Sequence, residues 1–123
     1  MAIACTNLGA TRAMKAPRGT DLSCEVRLFE KGCEAGEPWA CGMAARFMIE
    51  IAVEPQVARA QALLERSCAA FGGFPCRVLA YHLEIGSFGT PDPDRIKALL
   101  RQACDRDDKD ACGDPPSAAG TFR

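Results

Sequence analysis

Large apolar residues recur along the chain at the three- to four-residue spacing of an amphipathic α-helix, and polar turns interrupt them at regular intervals. The pairs Leu63-Leu64 and Leu99-Leu100 each lie five and four positions before a cysteine, so these positions share one helical stripe. No segment shows the sustained alternation of apolar and polar residues that is typical of a strand. The pattern therefore predicts an all-α protein.

The periodic segments and the turn residues between them predict six helices. Gly86 and Pro91 interrupt the last part of the pattern, and Asp92 followed by Pro93 is a favourable N-cap and first turn. The helices form three pairs, near 3–15 and 21–34, 39–52 and 55–69, and 75–85 and 92–105.

Six of the eight cysteines form three pairs with identical spacing, and the pairs recur every 35 or 36 residues. A period of this length is typical of helical repeats, whose helix–turn–helix units bury their apolar faces by stacking on their neighbours. One cysteine ends a helix and the other opens the next, which allows the approach that a disulfide requires. We therefore predict a right-handed α/α superhelix, a solenoid, of three disulfide-clasped units. The predicted disulfides are Cys33–Cys41, Cys68–Cys76 and Cys104–Cys112.

The repeat pattern predicts a single domain over 1–112, and its units lie near 3–34, 39–69 and 75–105. Residues 113–123 begin with Gly-Asp-Pro-Pro, which cannot continue a helix, and we expect a flexible tail there. The chain starts inside the repeat pattern, so a further hypothesis is that it is a fragment of a longer repeat protein.

Cys5 and Cys24 lie outside the regular series. Cys24 is nine residues before Cys33, roughly 13 Å away along the same helix, whereas an antiparallel first helix would bring Cys5 close to Cys33. We predict that Cys5 and Cys24 are free thiols and that Cys24 packs between helices. The alternative is a Cys5–Cys24 disulfide in a rearranged first unit.

Composition and charge narrow the classes of partner. Apolar residues make up 48% of the chain and charged residues 25%, as in ordinary folded proteins. Fifteen basic and sixteen acidic residues give a net charge of −1 without a block of like charge, which argues against a nucleic-acid partner. The longest apolar run is too short to cross a bilayer, so we expect no membrane insertion.

The cysteine pairs favour an oxidising compartment, and thus a periplasmic or secreted protein. The N-terminal Met-Ala-Ile-Ala-Cys lacks the basic and apolar regions of a signal peptide, so a cytoplasmic protein with reduced, buried cysteines is the alternative. Structural zinc sites use closely spaced cysteines and further ligands, and the chain has one histidine. We therefore predict neither a metal site nor a cofactor.

Several short motifs resemble the Sel-one-like repeat, and more narrowly the cysteine-rich, disulfide-bridged bacterial members of that tetratricopeptide-like family. They are Ala4-Cys5-Thr6-Asn7-Leu8-Gly9 at a helix opening, the turn from Gly86 to Asp92, and the helix end from Ala98-Leu99 to Ala103-Cys104. The resemblance covers about residues 3–112, although the middle unit is one residue shorter and lacks glycine in its turn. It implies an α/α superhelix and protein–protein scaffolding. It also implies a second function, because some cysteine-rich members are associated with penicillin binding or weak β-lactam hydrolysis.

In helical repeats the first helix of each pair lines the concave face, and this predicts a binding groove for a protein or peptide. The groove candidates are Arg46, Glu50, Tyr81, His82 and Glu84. The alternative is a β-lactamase-like enzyme acting on β-lactams or peptidoglycan-related substrates. Because no serine is followed by lysine in the Ser-x-x-Lys pattern of such enzymes, we predict no catalytic residue.

Three features have a structural interpretation beside the functional one. His82 is either a groove residue or a partly exposed surface residue, and Trp39 is either an exposed binding anchor or packed against the neighbouring disulfide. The charged run 105–110 is either a cation site or a solvated loop. We favour the structural interpretation in all three cases.

Overall fold

In the computed structural model of the chain, the described residues are 22–51, 54–106 and 108–112. They form α1 (Ser23–Glu34), α2 (Pro38–Ile51), α3 (Glu54–Phe71), α4 (Phe74–Glu84) and α5 (Pro93–Asp105), followed by a short 3₁₀ helix (Lys109–Ala111). No strand occurs among these residues, so the prediction of an all-α protein is confirmed.

The bounds of the five α-helices agree with the predicted bounds to within two residues. The remaining predicted helix, near 3–15, and the predicted tail over 113–123 lie outside the described residues. Within those residues, no helix is both long enough and apolar enough to span a bilayer.

Two turns show why the helices begin and end where they do. The Asp92 side chain accepts hydrogen bonds from the backbone N–H groups of Asp94 and Arg95, at 3.1 and 3.3 Å, and so caps α5 as predicted. Between α3 and α4, Gly72 and Gly73 adopt left-handed backbone angles, with φ of 66° and 60°. The Arg106 side chain occupies the space that a Cβ at Gly72 would need.

The helices pack in chain order, each against the next, and α2 also packs against α4. The largest fully buried side chains come from α2, α3 and α4, and include Phe47, Met48, Leu64, Val78 and Leu79. Gly42 permits the close approach of α2 and α4, because a Cβ at this position would collide with the Phe74 ring. The core therefore lies where these three helices meet.

Ion pairs repeat with the same register between alternate helices. Glu30 of α1 pairs with Arg59 of α3 at 2.8 Å, and Glu65 of α3 pairs with Arg95 of α5. In each case the glutamate lies three residues before the first cysteine of one disulfide. The arginine lies nine residues before the first cysteine of the following disulfide. The α1–α3 and α3–α5 pairs of helices are thus bridged in the same way.

The three predicted disulfides are present, at Cys33–Cys41, Cys68–Cys76 and Cys104–Cys112. Their Cα–Cα distances are 4.5, 4.6 and 4.9 Å, within the range for this bond. The first two join the end of one helix to the first turns of the next, as the spacing predicts, whereas Cys104–Cys112 joins the end of α5 to the residue that follows the 3₁₀ helix.

The prediction of a free thiol at Cys24 is wrong, because Cys24 is disulfide-bonded. Cys24 lies on α1, as predicted. Cys5, the other predicted free thiol, lies outside the described residues.

We expect the oxidised protein to contain no free thiol. The six clasp cysteines pair with one another and Cys24 is bonded, so of the eight cysteines only Cys5 is left to be assigned. Intact-mass measurement with and without reduction should therefore show a gain of eight hydrogens for a monomer, one per cysteine. A gain of six, with alkylation of the unreduced protein at two cysteines, would contradict this.

Candidate functional site

Three of the five predicted groove residues, Arg46, Tyr81 and His82, lie together where α2 packs beside α4, and we call this surface the α2–α4 face. The Arg46 guanidinium lies over the Tyr81 ring, with Cζ 5.8 Å from the ring centroid, and the Tyr81 and His82 ring centroids are 5.1 Å apart. Glu50, one turn after Arg46, is exposed and close enough for its carboxylate to raise the pKa of Arg46. Glu84 is exposed near the end of α4, and no ion pair to it occurs among the described residues.

Arg46 is the charged centre of this face. Burial lowers its pKa most strongly, Tyr81 and Glu50 raise it, and the nearby cation of Arg77 lowers it further. A guanidinium keeps its proton under all ordinary conditions, so Arg46 presents a fixed positive charge against an aromatic ring.

The interpretation of His82 as a partly exposed surface residue is wrong, because only 4% of the residue is exposed. Its Nδ1 lies 3.0 Å from the Ser87 hydroxyl oxygen, and its ring centroid lies 6.1 Å from that of Phe88. Nε2 is buried and has no hydrogen-bond partner among the described residues. Burial, and secondarily the positive charge of Arg46, lower the pKa of His82 from 6.5 to about 4.

The His82–Ser87 contact has the atoms of a base and a nucleophile, but the His82 imidazole is too weak a base for this role. A general base works best when its pKa is near the operating pH, and the His82 pKa of about 4 is far below neutrality. The backbone N–H of Ser87 also donates to the His82 carbonyl oxygen at 2.9 Å. The pair therefore fixes the turn that follows α4.

We expect stability to fall as pH is lowered from about 6.5 to about 4. The unfolded chain protonates His82 in this window and the folded protein does not, so the neutral-His82 contribution is complete above pH 6.5 and lost towards pH 4. The pKa difference corresponds to at most about 3 kcal/mol. Urea unfolding across this range should show a pH-dependent step that is missing in His82→Gln, whereas an equal step in both proteins would assign it to other groups.

Trp39 is half exposed and packs against an aromatic residue of α1. Its ring meets that of Phe29 edge to face, with centroids 5.4 Å apart, and Phe29 in turn lies 5.4 Å from Phe47. Half of Trp39 is nevertheless exposed. Trp39 is therefore packed on Phe29 through one side of its ring and exposed over the rest.

Among the described residues of the charged run after α5, all but Asp108 are exposed, as expected of the solvated loop that we favoured. The Asp108 side chain is only 8% exposed and accepts a hydrogen bond from Arg77 Nε at 2.7 Å. Arg77 is itself buried, with a side chain 3% exposed and its guanidinium over the Phe74 ring, and it also pairs with Asp110 at 3.4 Å. Sequence reasoning missed this buried ion pair, because nothing local distinguishes Arg77 from a surface arginine.

The cation-site interpretation of the run gains no support. Within the described residues, no group of three or more His, Cys, Asp or Glu side chains is arranged to hold a metal ion.

A cleft of about 290 Å³ lies elsewhere, between α1 and α3. Apolar residues and Cys33 form part of its wall, and charged residues complete it. Its lining residues are Glu30, Cys33, Glu34, Leu63, Arg66, Ser67, Ala70 and Phe71. None of them belongs to the predicted groove, so the cleft and the α2–α4 face are separate features.

No protein-family model matches the chain, and neither the curated proteins nor the solved structures contain a significant match to it.

Proposed function

We propose that the protein is a disulfide-stabilised helical repeat module that binds a protein or peptide through the face formed by α2 and α4. The observation that carries the proposal is the placement of Arg46 against Tyr81 on this face, with Glu50 one turn away. Arginine and tyrosine are enriched among the residues that dominate binding energy at protein interfaces.

Two packing features support a superhelical arrangement. The first helices of neighbouring pairs, α2 and α4, pack side by side, and the second helices α1, α3 and α5 are bridged at a repeated register by Glu30–Arg59 and Glu65–Arg95. Regular stacking of successive helical pairs is what generates a solenoid and its concave face. These features, with the cysteine motif, also support membership of the Sel-one-like repeat family.

The chemistry of the face favours a particular kind of ligand. It offers the cation of Arg46, the carboxylate of Glu50 and the ring of Tyr81, whereas His82 is neutral at pH 7. A peptide with an acidic and a basic residue about one helical turn apart would meet both charges. The three disulfides favour an oxidising environment, and this supports a periplasmic or secreted location for the proposed interaction.

The proposal is tested by selecting peptides from a random display library on the immobilised, oxidised protein. We expect selected peptides to lose about tenfold or more in affinity for Tyr81→Ala and for Glu50→Ala. Lys97→Ala, at an exposed position on α5, is the matched control and should bind like the parent. Failure to enrich any peptide, or equal affinity of all three variants, would refute the proposal.

The alternative function, hydrolysis of β-lactams or peptidoglycan-related substrates, rests on the family resemblance. The contact between Ser87 and His82 is the one feature of the site that favours it, and the low pKa of His82 opposes it. Turnover of a chromogenic β-lactam that persists through repurification and disappears in Ser87→Ala would establish this activity.

A further inference from the structure

The three clasp disulfides, Cys33–Cys41, Cys68–Cys76 and Cys104–Cys112, differ in how far their cysteines are exposed. Cys41 and Cys76 are completely buried and Cys68 is nearly so, whereas Cys33 is half-buried, so each of the first two bonds has at least one cysteine in the interior. Cys112 is exposed and Cys104 is half-buried. Thiol–disulfide exchange begins when a thiolate reaches one sulfur of the bond. The exposure of the cysteines therefore decides which disulfide a reductant can attack in the folded protein.

The exposed bond closes a short segment over the end of the helical stack. This segment contains the 3₁₀ helix, which packs against α5 and buries Ala111. The Cys104–Cys112 bond fixes one end, and the Asp108–Arg77 ion pair attaches the middle of the segment to α4. Two tethers of different chemistry therefore hold the segment, and only one of them is covalent.

We propose that Cys104–Cys112 is a redox switch that a dithiol reductant opens in the folded protein while Cys33–Cys41 and Cys68–Cys76 stay closed. One thiolate of the reductant attacks Cys112 Sγ, the disulfide breaks, and Cys104 leaves as a thiolate that takes up a proton. The second thiol attacks the resulting mixed disulfide and releases Cys112 as a thiol. The protein gains two electrons and two protons, and the reductant becomes an intramolecular disulfide.

Opening this bond has a structural consequence. The segment is then held only by non-covalent contacts, and its departure would withdraw Asp108 from the buried Arg77. Arg77 lies one turn before Tyr81 on α4, so the switch acts next to the face described above. The inference rests on the exposure of the sulfurs and on the ion pair, and it does not depend on what that face binds.

The order of reduction is the first test. The oxidised full chain is treated briefly with dithiothreitol under native conditions, free thiols are trapped with iodoacetamide, and the labelled peptides are quantified by mass spectrometry. We expect Cys104 and Cys112 to be labelled at least about tenfold faster than Cys68 and Cys76, with helical circular dichroism retained. Equal rates, earlier labelling of Cys33 and Cys41, or simultaneous reduction with loss of helicity would overturn the proposal.

Limited trypsin digestion tests the conformational part. Arg106 and Lys109 lie in the clasped segment, and Arg101 is an exposed site within α5 that serves as the internal control. After selective reduction, cleavage at Arg106 and Lys109 should accelerate about tenfold relative to cleavage at Arg101, since proteolysis follows the population of locally opened chain. An unchanged ratio would show that the bond is reducible but does not act as a switch.

Discussion

Replacing Asp108 with asparagine is expected to lower the free energy of unfolding by about 3–5 kcal/mol. The substitution removes the carboxylate that lies 2.7 Å from Arg77 and leaves a buried guanidinium without its nearest counter-charge. Removing one member of a buried ion pair costs more than the pair contributes, because the remaining charge stays desolvated. Urea unfolding followed by circular dichroism measures the change directly.

Asp110→Asn is the matched control for this prediction. Asp110 also faces the Arg77 guanidinium, but at 3.4 Å and with its side chain 44% exposed. Exposed ion pairs contribute between zero and about 1 kcal/mol, and we expect a loss in that range. If the two variants were equally stable, Asp108 would not be the principal counter-charge of Arg77.

The helices and clasps could be predicted because the information for them is local and repeated. The Leu-Leu pairs before Cys68 and Cys104 fix the apolar stripe of α3 and α5, and Asp92-Pro93 fixes the start of α5. The spacing of eight residues fixes where each helix ends relative to the next one. Each of these signals depends on residues within about two turns of chain.

Burial of polar residues could not be predicted in the same way. Asp108 belongs to a run of charges that is typical of solvated loops, and it is buried because the segment after α5 folds back over Arg77 of α4. His82 is buried because the turn after α4 brings Ser87 and Phe88 over its ring. Both outcomes depend on tertiary contacts rather than on helical periodicity.

In the candidate site, too, the positions of the residues could be predicted from the sequence, whereas their burial and charge environment could not. The cysteine spacing predicts that Arg46 lies on the first helix of one pair and Tyr81 on the first helix of the next. The helices that carry these residues, α2 and α4, pack together. The cysteine spacing does not indicate that burial keeps His82 neutral, or that Arg77 adds a second positive charge near Arg46. The electrostatics of the face therefore follow from its packing.

The second large effect is expected for the double substitution Cys68→Ala with Cys76→Ala, which should lower the free energy of unfolding by about 4 kcal/mol. Loss of the crosslink accounts for about 2.5 kcal/mol on the chain-entropy model, given a separation of eight residues. The rest comes from the space left by two sulfurs in the core.

Cys104→Ala with Cys112→Ala is the matched control, because it opens a loop of the same length where Cys112 is exposed. The entropic part is unchanged, so this variant should lose about 2.5 kcal/mol, and the difference between the two variants measures the packing contribution of the buried bond. Chemical denaturation of both variants under non-reducing conditions provides the comparison. If the exposed pair cost as much as the buried pair, packing would contribute nothing and the clasps would act only by restricting the unfolded chain.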